Sequence, residues 1–260
     1  MTSSTIALEV PKAVLRTAAR PGVGRLTRVE LRKMVDTRAG FWLLIGVLAL
    51  MITTSIVAAV TGDTADHTLH GIFTAAVWPA YVLLPVVGIL LVSSEWSQRT
   101  TLITFTLVPH RSRVLVSKLL AGVLVAAAAW LAALAIAALV TAVAAPGIGG
   151  TWSPSGIVLG QTLLLVVAAM ITGLGFGAML LSSAPAIVLS FGLPLAWSAL
   201  GSIPSLTGTA GWLDGSRSYA PLTDHVVDAT EWARVGTTVA LWMLVPVLVG
   251  VWRISRSEVA

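Results

Sequence analysis

Few residues in this 260-residue chain have both the chemistry and the spacing for a reactive or metal-binding site. Asp63, Asp66, His67 and His70 lie close together, and carboxylates and imidazoles so spaced can gather on one helical face as zinc or copper ligands. His225 with Asp224 and Asp228 offers a second such group. Polar loops beside membranes commonly hold these residue types, so the expectation is no metal site. Ser216, His225 and Asp228 supply a nucleophile, a base and an acid on paper. No nucleophile elbow or zinc-protease signature accompanies them, and no catalytic residue is assigned. Gly173, Gly175 and Gly177 repeat as nucleotide-binding glycines do, yet they lie in an apolar run with no strand before them. Close helix packing through Gly173-x-x-x-Gly177 is the better reading. Lys12, Lys33 and Lys118 follow Pro, Arg and Ser, so the Gly-Lys step of a phosphate-binding loop is missing, and no cofactor is expected in this chain.

The elements that would position these groups follow from composition. The chain is 57% hydrophobic and 10% charged, against about 25% charged in soluble domains. Nothing from Leu119 to Leu213 carries a charge. This describes an all-α polytopic membrane protein, and it excludes a soluble enzyme, a disordered tail and a nucleic-acid reader. Cysteine is absent, which excludes a disulfide framework and thiolate-held metal. A helix needs about 20 apolar residues to cross the hydrocarbon. Six transmembrane helices are predicted, at about 41–60, 72–92, 114–144, 157–181, 186–203 and 235–252, with Lys118 snorkelling toward the interface. Backbone groups in lipid must be satisfied within the segment, which requires helices.

Fourteen of the sixteen Lys and Arg residues precede the first span, flank the loop between the second and third, or follow the sixth. Arg217 and Arg234 alone fall on the other side, with Asp63, Asp66, Asp214, Asp224, Asp228 and Glu231. The positive-inside rule places both termini in the cytoplasm of a multi-pass protein. No apolar core precedes residue 41, so no cleavable signal is expected. The bilayer is the expected partner of the basic segments, and nucleic acid is not.

Three polar pieces remain. Arg25 to Arg38, which includes Arg28, Glu30, Arg32 and Lys33, reads as a basic amphipathic N-terminal helix at the interface, against the simpler role of a positive flank. Ser93 to Arg113 predicts a short cytoplasmic helix with a cap at Ser94, an acid at Glu95, a stripe at Leu102, Phe105 and Val108, and a stop at Pro109. The alternative is a solvated connector. Pro204 to Arg234 is a long outer loop with a small helix over Leu222 to Glu231. Inside the spans Pro79, Pro85, Pro194 and Pro246 break helices whose freed carbonyls need neighbours. No span carries an internal carboxylate, His or Arg, so an ion-coupled carrier is unlike this chain. Uphill transport would need another polypeptide to hydrolyse ATP.

The order of these features resembles the membrane subunits of ABC-2 type ABC transporters, most often exporters. The likeness covers nearly the whole chain and rests on RVELRKMVDTRAGFWLL (Arg28 to Leu44) and SSEWSQRTTLITFTLVPHRSRVLVSKLLAG (Ser93 to Gly122). Arg99-Thr100 stands where many relatives have Gly-Thr. The resemblance implies a domain over residues 25–254, between tails at 1–24 and 255–260. It also implies a second membrane subunit, as homodimer or heterodimer, and separate ATPase subunits that bind Mg-ATP. Arg25 to Arg38 would be the connecting helix. Glu95 to Val108 would be the coupling helix that docks on the ATPase, with Glu95, Trp96, Arg99, Thr101, Phe105, Pro109 and Arg111 at that contact. Phe73, Val77 and Tyr81 on the second span and Phe191 and Leu195 on the fifth would line the substrate path. The expected function is a permease subunit of a bacterial plasma-membrane exporter for a hydrophobic or amphipathic drug, lipid or peptide. The alternative is a non-transporting scaffold or a lipid-modifying membrane enzyme. The high ratio of Arg to Lys and the Ala- and Val-rich spans fit a GC-rich bacterial genome.

Overall fold

The computed structural model describes residues 22–62, 67–97, 111–144, 154–201 and 211–256, with residues 152, 203, 204 and 208 singly. All regular structure among them is helical. The first helix, α1 (Val23–Asp36), buries Thr27, Glu30 and Met34 at helical spacing and leaves Arg28 and Arg32 exposed. Thr37 ends it in an extended conformation and at once caps the next helix, its hydroxyl accepting from the Gly40 amide at 3.2 Å. Gly40 abuts the Met34 carbonyl, so no larger residue fits at this bend between α1 and the first apolar helix.

Among the described residues, six helices are long and apolar enough to cross a membrane. They are α2 (Arg38–Thr61), α3 (Leu69–Ser97), α4 (Arg111–Ala144), α5 (Gly156–Leu180), α6 (Ser183–Leu200) and a composite sixth. Two short helices, α7 (Gly215–Tyr219) and α8 (Pro221–Asp224), precede that last one. The sixth joins α9 (Ala229–Val239), a π-helical turn at Ala240–Leu244 and α10 (Val245–Arg256). The π turn falls just before Pro246, whose missing N–H would otherwise interrupt the ladder.

Several boundaries differ from the sequence expectation, and three have a clear local cause. Ser94 is not a helix start, because α3 runs through it without interruption to Ser97. The fifth span starts at Ser183, since Pro185 falls in the first turn, where its missing N–H costs nothing. The helix expected over Leu222 to Glu231 is not formed. Instead α8 stops at Asp224, and the Asp228 carboxylate takes the Glu231 amide at 2.8 Å while Glu231 takes the Asp228 amide at 3.0 Å. That capping box starts a new helix in the middle of the expected one.

Helix α5 is the centre of the bundle and packs against α3, α4, α6 and α10. Its small residues permit this. A Cβ at Gly177 would lie 2.9 Å from the Ile89 carbonyl oxygen, Gly173 presses on the backbone of Pro85, and Gly88 on α3 presses back on Met170 and Leu174. The Gly173-x-x-x-Gly177 pair thus faces α3, while Gly175 faces Pro246 and Val247 of α10. On the α4 side, Trp130 Nε1 donates to Thr162 Oγ1 at 3.0 Å and its ring meets Phe73 edge-on at 5.9 Å. Leu181, in the left-handed region at φ 54°, turns the chain from α5 into α6. A methyl-bearing residue at 173 must push α3 away, so Gly173→Val is expected to cost about 1–3 kcal/mol of stability. Gly160, with open space around it, supplies the control. Thermal unfolding in detergent should show a clear drop for Gly173→Val and almost none for Gly160→Val.

Candidate functional site

Two regions stand out, one at the end of the bundle that carries α1 and one toward the opposite end. At the first, α1, the end of α3 and the start of α4 meet through four charged side chains. Lys118 Nζ donates to Glu30 Oε2 at 2.7 Å, to Glu95 Oε1 at 2.8 Å and to the Leu91 carbonyl at 3.1 Å. These bonds use all three ammonium protons. Lys33 Nζ closes the ring with Glu95 Oε1 at 2.6 Å and Glu30 Oε1 at 2.9 Å. The charges sum to zero. Glu30, Glu95 and Lys118 are buried and Lys33 is partly exposed.

Burial pulls the Lys33 pKa down, but the Glu95 hydrogen bond and the charges of Glu95 and Glu30 outweigh it, and the net shift is upward from 10.5. A raised lysine pKa contributes stability below the unfolded value and loses it as pH rises through the folded one. The contribution of Lys33 is therefore full at physiological pH and fades only above about pH 10.5. Lys118 does not snorkel as the sequence suggested, because two carboxylates and a carbonyl satisfy it inside the protein. Nothing in the sequence pairs positions 30 and 118. The one signal was Glu30 itself, an acid that a purely basic flank does not need.

Glu95 and Trp96 close α3, Glu95 turned inward to the cluster and Trp96 packed on the core. Arg111 opens α4. Arg99, Thr101, Phe105 and Pro109 lie outside the described residues, as do Leu102 and Val108. The cluster thus ties α1 to the helices on both sides of residues 98–110. A hydroxyl contact, Ser93 Oγ to Ser183 Oγ at 2.8 Å, links the same end of α3 to α6.

Toward the opposite end, α3, α5 and α6 enclose a cavity of about 450 Å³ roofed by residues 214–223. Tyr81, Phe191 and Leu195 line it, together with Trp78 and Trp242. Phe73 and Val77 do not, being fully buried in the helix core. Tyr81 stacks on Trp78 at 5.2 Å and meets Tyr219 edge-on at 6.1 Å. Burial, and secondarily the nearby Tyr81, raises the Tyr219 pKa well above 10, which keeps its phenol neutral. The roof is pinned from below. Gln161 on α5 donates to the His225 carbonyl at 2.7 Å and accepts from the Val227 amide at 3.2 Å. Trp242 Nε1 donates to the Leu213 carbonyl at 2.8 Å, and Thr238 Oγ1 donates to Ser218 Oγ at 2.8 Å.

The other chemical groups are separated. Ser216 Oγ donates to Asp214, His225 Nε2 pairs with Glu231, and Asp228 caps α9, so the three residues of the paper triad each serve another partner. His67 and His70 sit at the start of α3, while Asp63 and Asp66 lie outside the described residues. Among the described residues no three metal-ligating side chains converge. Comparison with protein-family profiles and with curated proteins gives no match. Fold and site together give an all-helical chain that, among the described residues, has six helices long and apolar enough to cross a membrane, an ion cluster at one end and an aromatic cavity near the other.

Removing one partner of a buried ion cluster strands the opposite charges, at about 3–5 kcal/mol. Lys118→Met should therefore lower the unfolding midpoint strongly, and Lys33→Ala much less, because Lys33 is partly solvated. Adding Glu30→Leu and Glu95→Leu to Lys118→Met should recover most of the loss in the same thermal assay. Gln161→Leu should speed hydrogen exchange over residues 222–227 while leaving α3 and α5 protected.

Proposed function

We propose that the chain is the permease subunit of an ATP-driven ABC-2 type exporter in a bacterial plasma membrane, with both termini in the cytoplasm. It moves a hydrophobic or amphipathic cargo and works with a second membrane subunit and separate ATPase subunits. The observation that carries this reading is the ion cluster, which fastens an amphipathic helix to the helices on both sides of residues 98–110. A soluble partner that pushed this segment would move α1, α3 and α4 as one block, because separating the four charges costs several kcal/mol. Helix α3 also forms a wall of the cavity, so the push reaches the cargo path through a continuous helix. The uncharged stretch from Leu119 to Leu213 supports the same reading, since α5 and α6 offer no titratable relay for a proton or cation gradient. The composition thus calls for an energy-supplying partner. The sparse burial of α6 leaves a long apolar face for lipid or for the second membrane subunit.

Purification of the chain from its native host tests the proposal. An ATPase should co-purify, and Phe105→Asp should abolish its association while the chain remains folded. Preparations that never contain an ATPase, and no stimulated hydrolysis when the genetically adjacent ATPase is supplied, would contradict it.

A further inference from the structure

The cavity holds a group that the export reading does not use. Asp214 lines it and is 1% exposed. One carboxylate oxygen is spoken for, since Oδ1 accepts from the Ser216 amide at 3.0 Å and from Ser216 Oγ at 2.7 Å. The other, Oδ2, is buried without a hydrogen bond. Arg217 Nε stands 3.4 Å from it, within ion-pair range but outside hydrogen-bond geometry, and the Arg217 side chain is half exposed. A pair with one solvated member is worth little. A buried carboxylate with a free acceptor is costly unless a donor arrives. Among the described residues that line the cavity, Asp214 carries the only formal charge.

The surrounding walls suit one kind of donor. Trp78, Tyr81, Phe191, Tyr219 and Trp242 present aromatic rings, and such rings attract a cation held against them. A metal ion needs several oxygen ligands, and the cavity offers a single carboxylate. An anion meets repulsion from Asp214. We infer that this cavity binds lipophilic organic ammonium ions, with an N–H of the ligand donating to Asp214 Oδ2 and its apolar body against the aromatic walls. This deepens the proposed export function by naming its cargo class, and it rests on that reading only for the fate of the bound ligand. Arg217 is the internal competitor that an incoming ammonium displaces.

Binding can be read on the full chain in phosphatidylcholine nanodiscs by calorimetry, without any ATPase. Two probes of nearly equal shape serve: N-methylnaphthylmethylammonium and naphthylmethyl methyl ether, with empty nanodiscs as the blank for partitioning. A charge-assisted hydrogen bond to the buried carboxylate should make the ammonium bind about tenfold or more tightly than the ether. Asp214→Asn should bring that ratio to about one. Arg217→Gln, which leaves Asp214 in place, should tighten ammonium binding severalfold and keeps the test decisive if Asp214→Asn fails to fold. Equal binding of the two probes, no binding of either, a ratio that survives Asp214→Asn, or an Arg217→Gln variant no tighter than the parent would overturn the inference. Failure of an ATPase to co-purify would count against the export reading and leave this result untouched.

Discussion

Two carboxylates and two ammonium groups sealed under one end of an apolar bundle impose the constraint on which the rest of the molecule depends. Glu30, Glu95 and Lys118 are tolerable there only because their partners are present, since an unpaired buried charge costs several kcal/mol, while Lys33 keeps some contact with solvent. The four groups come from α1, α3 and α4, so those helices cannot shift independently without exposing a charge. An apolar contact would let the helices slide. A closed ring of hydrogen-bonded ions fixes register and angle, which is what a lever needs at its root.

From that root the fold extends through close backbone contact. Gly173 and Gly177 let α5 lie against α3, and Gly175 and Gly250 let α10 lie against α5. Lipid offers no hydrophobic drive between helices, so these contacts hold the bundle through packing alone. The region farther from the cluster is interrupted by helix-breaking residues. Pro79 and Pro85 in α3, Pro194 in α6 and the π turn before Pro246 surround or adjoin the cavity, where backbone irregularity faces protein and open space. A rigid end and an irregular end on the same helices are the arrangement that the proposed export cycle requires.

Much of this was legible in the sequence because hydrocarbon is an unforgiving solvent. Runs of apolar residues long enough to span it have few alternatives to a helix, so all six spans were recognisable, and the amphipathic pattern of residues 25–38 marked α1. Boundaries set by local capping were harder. The Asp228–Glu231 box splits a segment expected to hold one small helix, and the i to i+3 spacing of those two acids was the overlooked signal. The ion cluster was out of reach for a different reason. Lys118 next to a span reads as a snorkelling residue until Glu30, far away in the chain, is seen beside it. The residues expected along a substrate path divided by helix face: Tyr81, Phe191 and Leu195 line the cavity, whereas Phe73 and Val77 lie on the packed side of α3. A span that is apolar on every side gives no periodicity to tell those faces apart.

On the proposed export reading, a nucleotide-driven partner moves the α1 end of the bundle as one block against α6. Because the chain has no cysteine, spin labels can be placed without background. Val29 on α1 and Val188 on α6 are both exposed. With Val29→Cys and Val188→Cys labelled in the complex with its ATPase, pulsed electron resonance measures the distance between them. The distribution should shift when a non-hydrolysable ATP analogue is added, and should no longer shift once Lys118→Met opens the cluster. A distribution indifferent to nucleotide, or one that shifts equally with the cluster broken, would contradict that reading.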